Sequence, residues 1–401
     1  MEKVRFGIIG LGNMGTSHFY NFNTLDRIKN GTLTAVADIV PEKVEKIKKM
    51  VSENSNEEYR NGMHYYASGD ELIAAKTCDV VIVAIPHYFH PEYAIKAMKA
   101  GMNVIVEKPA GVYTLQVEEM LEEAKKHPDL KLGIMFNQRT NPYFKQMKKM
   151  IADGELGKIT RLNWIITDWF RTQSYYNSGG WRATWKGEGG GVLYNQAPHN
   201  IDLFQWIPDM MPSKVTAHAY FGKYHDIEVE DEVTAFFEYP NGATGVFITS
   251  TGEAPGTNRL EITGEMGKLI YDAGGTLKFH KNEISCKTFL ETSSQGFGTP
   301  KVDYIEYKLG GDNPQHVGIL NNFANAVLGL EPLYAPASDG IKGVTLANAM
   351  LLSAWTNSTV ELPIDGKKFY ELLQEHIRDS KVTKDESVTG TAADLSSTYN
   401  N

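Results

Sequence analysis

The chain has 401 residues, more than one ordinary domain accommodates, and its 42% hydrophobic and 22% charged content is that of a globular protein. A formal net charge of -9 argues against a nucleic-acid partner, whose phosphates are held by a basic surface. Two cysteines give no disulfide framework, the N-terminal MEKVRFGIIG is too short an apolar run for a signal peptide, and no stretch approaches the roughly 20 apolar residues of a membrane span, so a soluble cytoplasmic protein is expected.

In the first third, short apolar runs alternate with amphipathic segments. VRFGIIG, GTLTAVAD, DVVIVAI, NVIVEKP and LKLGIMF read as strands, and PEYAIKAMKAG reads as a helix with Pro91 at its start and Gly101 at its stop. That alternation predicts a parallel sheet covered on both faces. After residue 136 the texture changes. ITRLNWIITDWF, KVTAHAYF, EVTAFFEY, ATGVFITST, RLEIT, KLIYD and TLKFH follow one another, and Pro240-Asn241-Gly242 marks a hairpin turn.

The predicted architecture is α/β, with a dinucleotide-binding Rossmann domain over 1–136. A second α/β domain over 137–378 is expected to carry an open, mostly antiparallel sheet. Helices are predicted over 189–206 and roughly 339–358, the latter placed to pack back on the first domain, and 379–401 reads as a polar tail. An open sheet usually buries its outer face against another subunit, which predicts a homodimer or homotetramer.

IIGLGNMG carries Gly10-x-Gly12-x-x-Gly15 between a strand and a helix. Gly10 permits the tight turn, Gly12 lets a pyrophosphate approach the backbone, and Gly15 lets helix and strand pack closely. Asn13 and Met14 open the helix whose N-terminus faces the phosphates. Asp38 ends the second strand, where a carboxylate accepts from a ribose 2′-OH; Ile39 follows, with no basic pair for a 2′-phosphate, so NAD is expected rather than NADP.

Glu107 and Lys108 precede Pro109 at the carboxyl end of a buried strand, where open α/β sheets bind ligands. A partly desolvated lysine there suits proton transfer. In GGGVLYNQAPHNIDLFQW, Asn195, His199 and Asp202 recur at helical spacing opposite an apolar stripe of Leu193, Ala197, Ile201 and Phe204. The aromatic segment from Trp169 to Trp185 offers Trp181 to the C–H face of a sugar and Arg182 to its hydroxyls or acid group, or else forms a subunit interface. No HExxH or clustered Cys/His pattern suggests a metal.

The glycine loop, EKP and GGG-V-L-x-N-x-x-x-H together resemble the glucose-fructose oxidoreductase/inositol dehydrogenase/rhizopine catabolism (Gfo/Idh/MocA) family over nearly the whole chain. The resemblance implies a bound nicotinamide cofactor and oxidation of a sugar or cyclitol hydroxyl, with Lys108 and His199 as the proton-handling residues. Asn195 departs from the aspartate that many members place there, and Asn takes no proton. The resemblance further implies that Pro86, His87 and Glu107 lie at the cofactor, His87 replacing the usual Asn. It also implies that Asn137 contacts substrate; Asn195 can hydrogen-bond a substrate hydroxyl as donor or acceptor, and Asp202 either binds the substrate, orients His199 or holds a domain contact. Two other readings stay open: a glycoside-cleaving enzyme that holds NAD and oxidises only transiently, and a non-catalytic NAD-binding regulator.

Overall fold

The computed structural model describes residues 3–23 and 25–382, so the tail expected over 379–401 lies outside the described residues from 383 onward. The described residues divide into two compact units, one within 3–137 and 314–344, the other within 138–313 and 345–382.

Among its described residues the first unit holds six strands: β1 (Val4–Ile9), β2 (Gly31–Ala37), β3 (His64–Tyr66), β4 (Val80–Val83), β5 (Asn103–Val106) and β6 (Leu132–Ile134). All pair in parallel, in the order β3-β2-β1-β4-β5-β6. Chain order reverses between β1 and β4, which is where a doubly wound sheet opens a crevice at its carboxyl edge. The four residues of β4 are wholly buried, as a sheet covered on both faces demands.

A sequence boundary at 136 does not anticipate that residues 314–344 rejoin this unit. Gly133 in β6 is the local reason: a Cβ there would lie 3.0 Å from the Phe323 ring, so its hydrogen lets the helix Gln315–Val327 close on the strand. Ile134 then donates its N–H to the Ala335 carbonyl at 3.0 Å.

The second unit holds β7 (Ile159–Ile166), β8 (Lys214–Phe221), β9 (Glu230–Glu238), β10 (Thr244–Ser250), β11 (Asn258–Gly264), β12 (Gly267–Asp272), β13 (Thr276–Asn282), β14 (Val302–Tyr307) and β15 (Val360–Glu361). They form one sheet, β14-β13-β12-β11-β7-β10-β9-β8-β15, antiparallel except for the β7–β10 pair. The predicted hairpin joins β9 to β10, with Gly242 at φ +84°. One face carries Leu162, Trp164, Phe237 and Phe247 into the core. Phe204 packs there, its ring centroid 5.3 Å from that of Phe237 and 5.5 Å from that of Phe247.

The helix expected over 189–206 is only Pro198–Trp206, and the glycine-rich stretch before it is a series of turns. Pro198 fixes the start, because its ring has no N–H and fits the first helical position but not an interior one. Asn195 therefore does not share a helical face with His199. The late helix runs Ala337–Thr356. Among the described residues no helix is long and apolar enough to cross a membrane.

Candidate active site

β1 delivers the glycine loop. Gly10 sits at φ +94°, and a Cβ there would meet the Ala84 carbonyl at 2.4 Å. Gly15 packs so closely that its Cβ would lie 1.8 Å from the Gly10 carbonyl. A Cβ on Gly12, by contrast, would meet no heavy atom within 4 Å. The fold thus requires glycine at 10 and 15 and leaves the face of Gly12 open, the pattern expected where a pyrophosphate approaches backbone. Asn13 and Met14 begin the helix Asn13–Asn23, Asn13 exposed and Met14 half-buried.

Asp38 follows β2 and is nearly buried. Its Oδ2 accepts the Leu11 N–H at 2.6 Å, its Oδ1 accepts the Val40 N–H at 2.8 Å, and Lys43 Nζ lies 3.5 Å from Oδ2. The carboxylate thereby ties the glycine loop to the end of β2, and a carboxylate keeps further lone pairs for a ribose hydroxyl. A 2′-phosphate would meet that negative charge instead, so these residues fit NAD.

After β4, Pro86 opens a short turn and His87 is buried, its ring 5.7 Å from that of His90. The two ring nitrogens of His90 lie 2.7 Å from the carbonyl oxygens of Pro109 and Ile85, which binds the β4 and β5 loops together. Burial lowers its pKa, against the pull of those two carbonyls and of Glu107. The Lys108-Pro109 bond is cis.

Glu107, read from the sequence as a cofactor contact, turns inward. One oxygen lies 2.6 Å from His18 Nε2 and the other accepts the Lys108 N–H at 3.2 Å. Burial alone would raise this carboxyl, but the hydrogen bond from His18 and the charges of His18, His316 and Lys108 outweigh it and hold the pKa at about 2. Burial pushes His316, whose ring lies against His18, down to about 4. Sequence reading missed both histidines; His18 had a signal, a polar ring on the apolar face of the first helix, while His316 had none. Lys108 is half-buried beside this group. Asn137 donates to Gln315 Oε1 at 2.5 Å, and its side chain is fully buried.

In the second unit the glycine run serves packing. A Cβ on Gly191 would lie 2.0 Å from the Glu230 carbonyl, and one on Gly190 would strike the Tyr194 ring. Glu230, which sequence reading missed, accepts the N–H groups of Gly191 and Leu193 at 2.8 and 3.1 Å through one oxygen; the other has no hydrogen-bond partner among the described residues. Burial pushes its pKa up to about 8, with those backbone donors pulling the other way and Glu188 adding repulsion.

His199 lies buried in the first turn of helix Pro198–Trp206. Asp202, one turn on, gives both oxygens to Arg139, at 2.8 and 2.7 Å, and also accepts from Gln205 at 3.1 Å. That ion pair anchors the helix. Asn195 accepts from the Tyr175 hydroxyl at 3.1 Å and donates to Glu188. Arg182 donates to the same hydroxyl at 2.7 Å and lies over the rings of Tyr175 and Trp181, 4.5 and 4.8 Å from their centres.

Known proteins bear on both units. Residues 4–134 match the model described as the oxidoreductase family, NAD-binding Rossmann fold, and residues 144–270 match that of the GFO/IDH/MocA C-terminal domain. Myo-inositol 2-dehydrogenase of Thermotoga maritima is 25% identical over 366 residues, 90% of this chain and 98% of that protein. Levoglucosan dehydrogenase of Pseudarthrobacter phenanthrenivorans is 26% identical over 303 residues, 68% of this chain and 74% of that protein. The crystal structure of the WlbA dehydrogenase from Chromobacterium violaceum, in complex with NADH and UDP-GlcNAcA, is similar with a TM-score of 0.75 and 26% identity, covering 91% of this chain and 97% of that one.

Proposed function

The chain belongs to the Gfo/Idh/MocA family of oxidoreductases, and from that premise we propose that it is an NAD-dependent dehydrogenase oxidising a secondary hydroxyl of a sugar, cyclitol or glycoside. The observation that carries the reading is the half-buried Lys108 at the carboxyl end of β5, in the sheet whose first strand carries the dinucleotide loop. Together with His199 it argues against a protein that only binds NAD, which has no need for a proton-transfer pair.

Gly10, Gly12, Asn13, Met14 and Gly15 hold the cofactor's phosphates and Asp38 its ribose, with Pro86 and His87 along the same edge. Bound NAD supplies the hydride acceptor. Lys108 and His199 handle the hydroxyl proton; both are groups whose basicity suits that transfer. Asn195, Arg182 and Trp181 contact the substrate, the indole against its C–H face. Asn137 and Asp202 belong to the same proposed set, Asn137 held by Gln315 and Asp202 by Arg139. Relatives named for myo-inositol and levoglucosan support a polyhydroxylated ring as the substrate class. The outer face of the second sheet, where Ile165, Tyr220 and Phe236 are exposed, meets a second copy of the chain in a homodimer or homotetramer.

The test is NADH formation from NAD with myo-inositol, levoglucosan, glucose and simple glycosides. Turnover by the wild type that is lost in both Lys108→Ala and His199→Ala supports the reading. Glycoside cleavage without net NADH would replace it with the transient-oxidation reading. NAD binding with no chemistry on any compound would leave the regulator.

A further inference from the structure

Hydrogens in the loop before His199 run in one direction. Arg182 donates to the Tyr175 hydroxyl at 2.7 Å, and Gln196 donates to it at 3.2 Å. With these contacts incoming, and Arg171 a further donor beside it, the hydroxyl spends its own hydrogen on Asn195 Oδ1 at 3.1 Å. Asn195 Nδ2 then donates to Glu188 Oε1, and Glu188 Oε2 accepts the Ala183 N–H at 2.6 Å. Ala183 sits at φ +51°, a conformation that costs a residue with a Cβ, so the Glu188 bond holds a strained turn next to Arg182. Glu188 is 1% exposed.

We propose that Glu188 is a positioning residue that works with Asn195 as one unit: its buried carboxylate fixes the Asn195 amide in a single orientation and keeps the negative charge at position 188, so that Asn195 meets a substrate hydroxyl as a neutral, directed partner.

Every hydrogen bond in this chain constrains the next. A carboxylate at 195 would face Glu188, and two carboxylates in hydrogen-bond contact do not both stay ionised. An amide at 188 would accept from Ala183 through its oxygen and turn its NH2 against that of Asn195. Within this series of hydrogen bonds two pairings set no donor against a donor: the native Glu188 with Asn195, and the exchange E188Q/N195D, which swaps carboxylate and amide between the two positions. The groups facing Glu188 include Tyr175 and Tyr176 from the aromatic segment and Glu230 from β9, with Arg171 and Arg182 over the Tyr175 ring.

The substrate clause rests on the dehydrogenase reading; the pairing does not. The experiment is therefore a thermal-melting cycle of the full chain, from pH 5 to pH 8, with E188Q, N195D and E188Q/N195D. Each single variant should melt below the wild type at pH 8, N195D recovering toward pH 5 as one carboxyl takes a proton, and the exchanged pair should regain most of the loss. An N195D as stable as the wild type at pH 8, or an exchanged pair no better than N195D, overturns the pairing.

The second arm is NAD reduction with myo-inositol, levoglucosan and glucose. Each single variant should lose about tenfold or more in kcat/KM, the weight of one hydrogen bond to a charged group, and the exchange should recover most of it. Full activity in E188Q refutes the positioning role. A wild type inactive on all three overturns the substrate clause and the dehydrogenase reading together, while the melting cycle still decides the pairing.

Discussion

Arg139 and Asp202 meet as fork and carboxylate, at 2.8 and 2.7 Å, with side chains 0% and 1% exposed. The pair joins the turn after β6 to the helix that carries His199, and Arg139 also lies over the Trp206 ring at its far end. Removing one partner leaves a buried charge uncompensated. Asp202→Ala should therefore cost about 3–5 kcal/mol of stability, read by urea unfolding. A loss below about 1 kcal/mol would mean that the pair is not the anchor of that helix.

Asp38 holds the Leu11 amide, so its loss should act on the loop and on cofactor choice together. Asp38→Asn should weaken NAD binding about tenfold and narrow the gap to NADP, measured by fluorescence titration with both dinucleotides. An unchanged NAD/NADP ratio would take Asp38 away from the ribose.

Two glycines separate folding from binding. Gly12→Ala places a methyl where no atom stands within 4 Å, so the variant should melt like the wild type and lose NAD affinity. Gly15→Ala drives the methyl into the Gly10 carbonyl and should lower the melting temperature whether or not NAD is present. If Gly12→Ala binds NAD normally, the pyrophosphate does not pass that face.

Buried Glu230 sets an alkaline weakness. Its pKa of about 8 stands above an ordinary carboxyl value of 4.5, so the folded chain keeps a proton that the unfolded chain has lost. Below about pH 4.5 both states are protonated and the group contributes nothing. Between there and pH 8 it takes stability away, by up to roughly 1.4 kcal/mol per pH unit. Glu230→Gln, which keeps the acceptor for Gly191 and Leu193, should flatten that decline and melt higher than the wild type at pH 8. Identical pH profiles would show that Glu230 is ionised in the folded chain.

Glu107 acts in the opposite sense. Its folded pKa of about 2 lies below the unfolded value, so it stabilises above about pH 4.5 and that contribution fades as pH falls toward 2. Glu107→Gln should be less stable than the wild type at pH 7, the difference shrinking on acidification. A difference independent of pH would assign its effect to packing rather than charge.

The sequence made the parallel strands legible because a strand buried on both faces has little choice but Val, Ile and Ala, and β4 is VVIV. The dinucleotide loop was equally legible, since Gly10 and Gly15 are demanded by contacts within the loop itself or at the adjacent strand end. The length of the His199 helix is hard to read because apolar spacing continues through the turns before it, although Pro198 marks its true start. The partner of Asp202 lies 63 residues away, and no local spacing announces it. Glu188 and Asn195 are seven apart across a glycine turn, a separation with meaning only once the turn is built.

The return of residues 314–344 to the first unit has a consequence for biosynthesis. Phe323 and Leu320 belong to the core around β6, so a nascent chain that has exposed only its first 137 residues lacks part of its own interior. An independent N-terminal fragment would carry an open apolar patch beside Gly133. Strands β7 to β14 must all leave the ribosome before the helix Gln315–Val327 arrives to cover it, which makes that interval the one in which a chaperone would be needed.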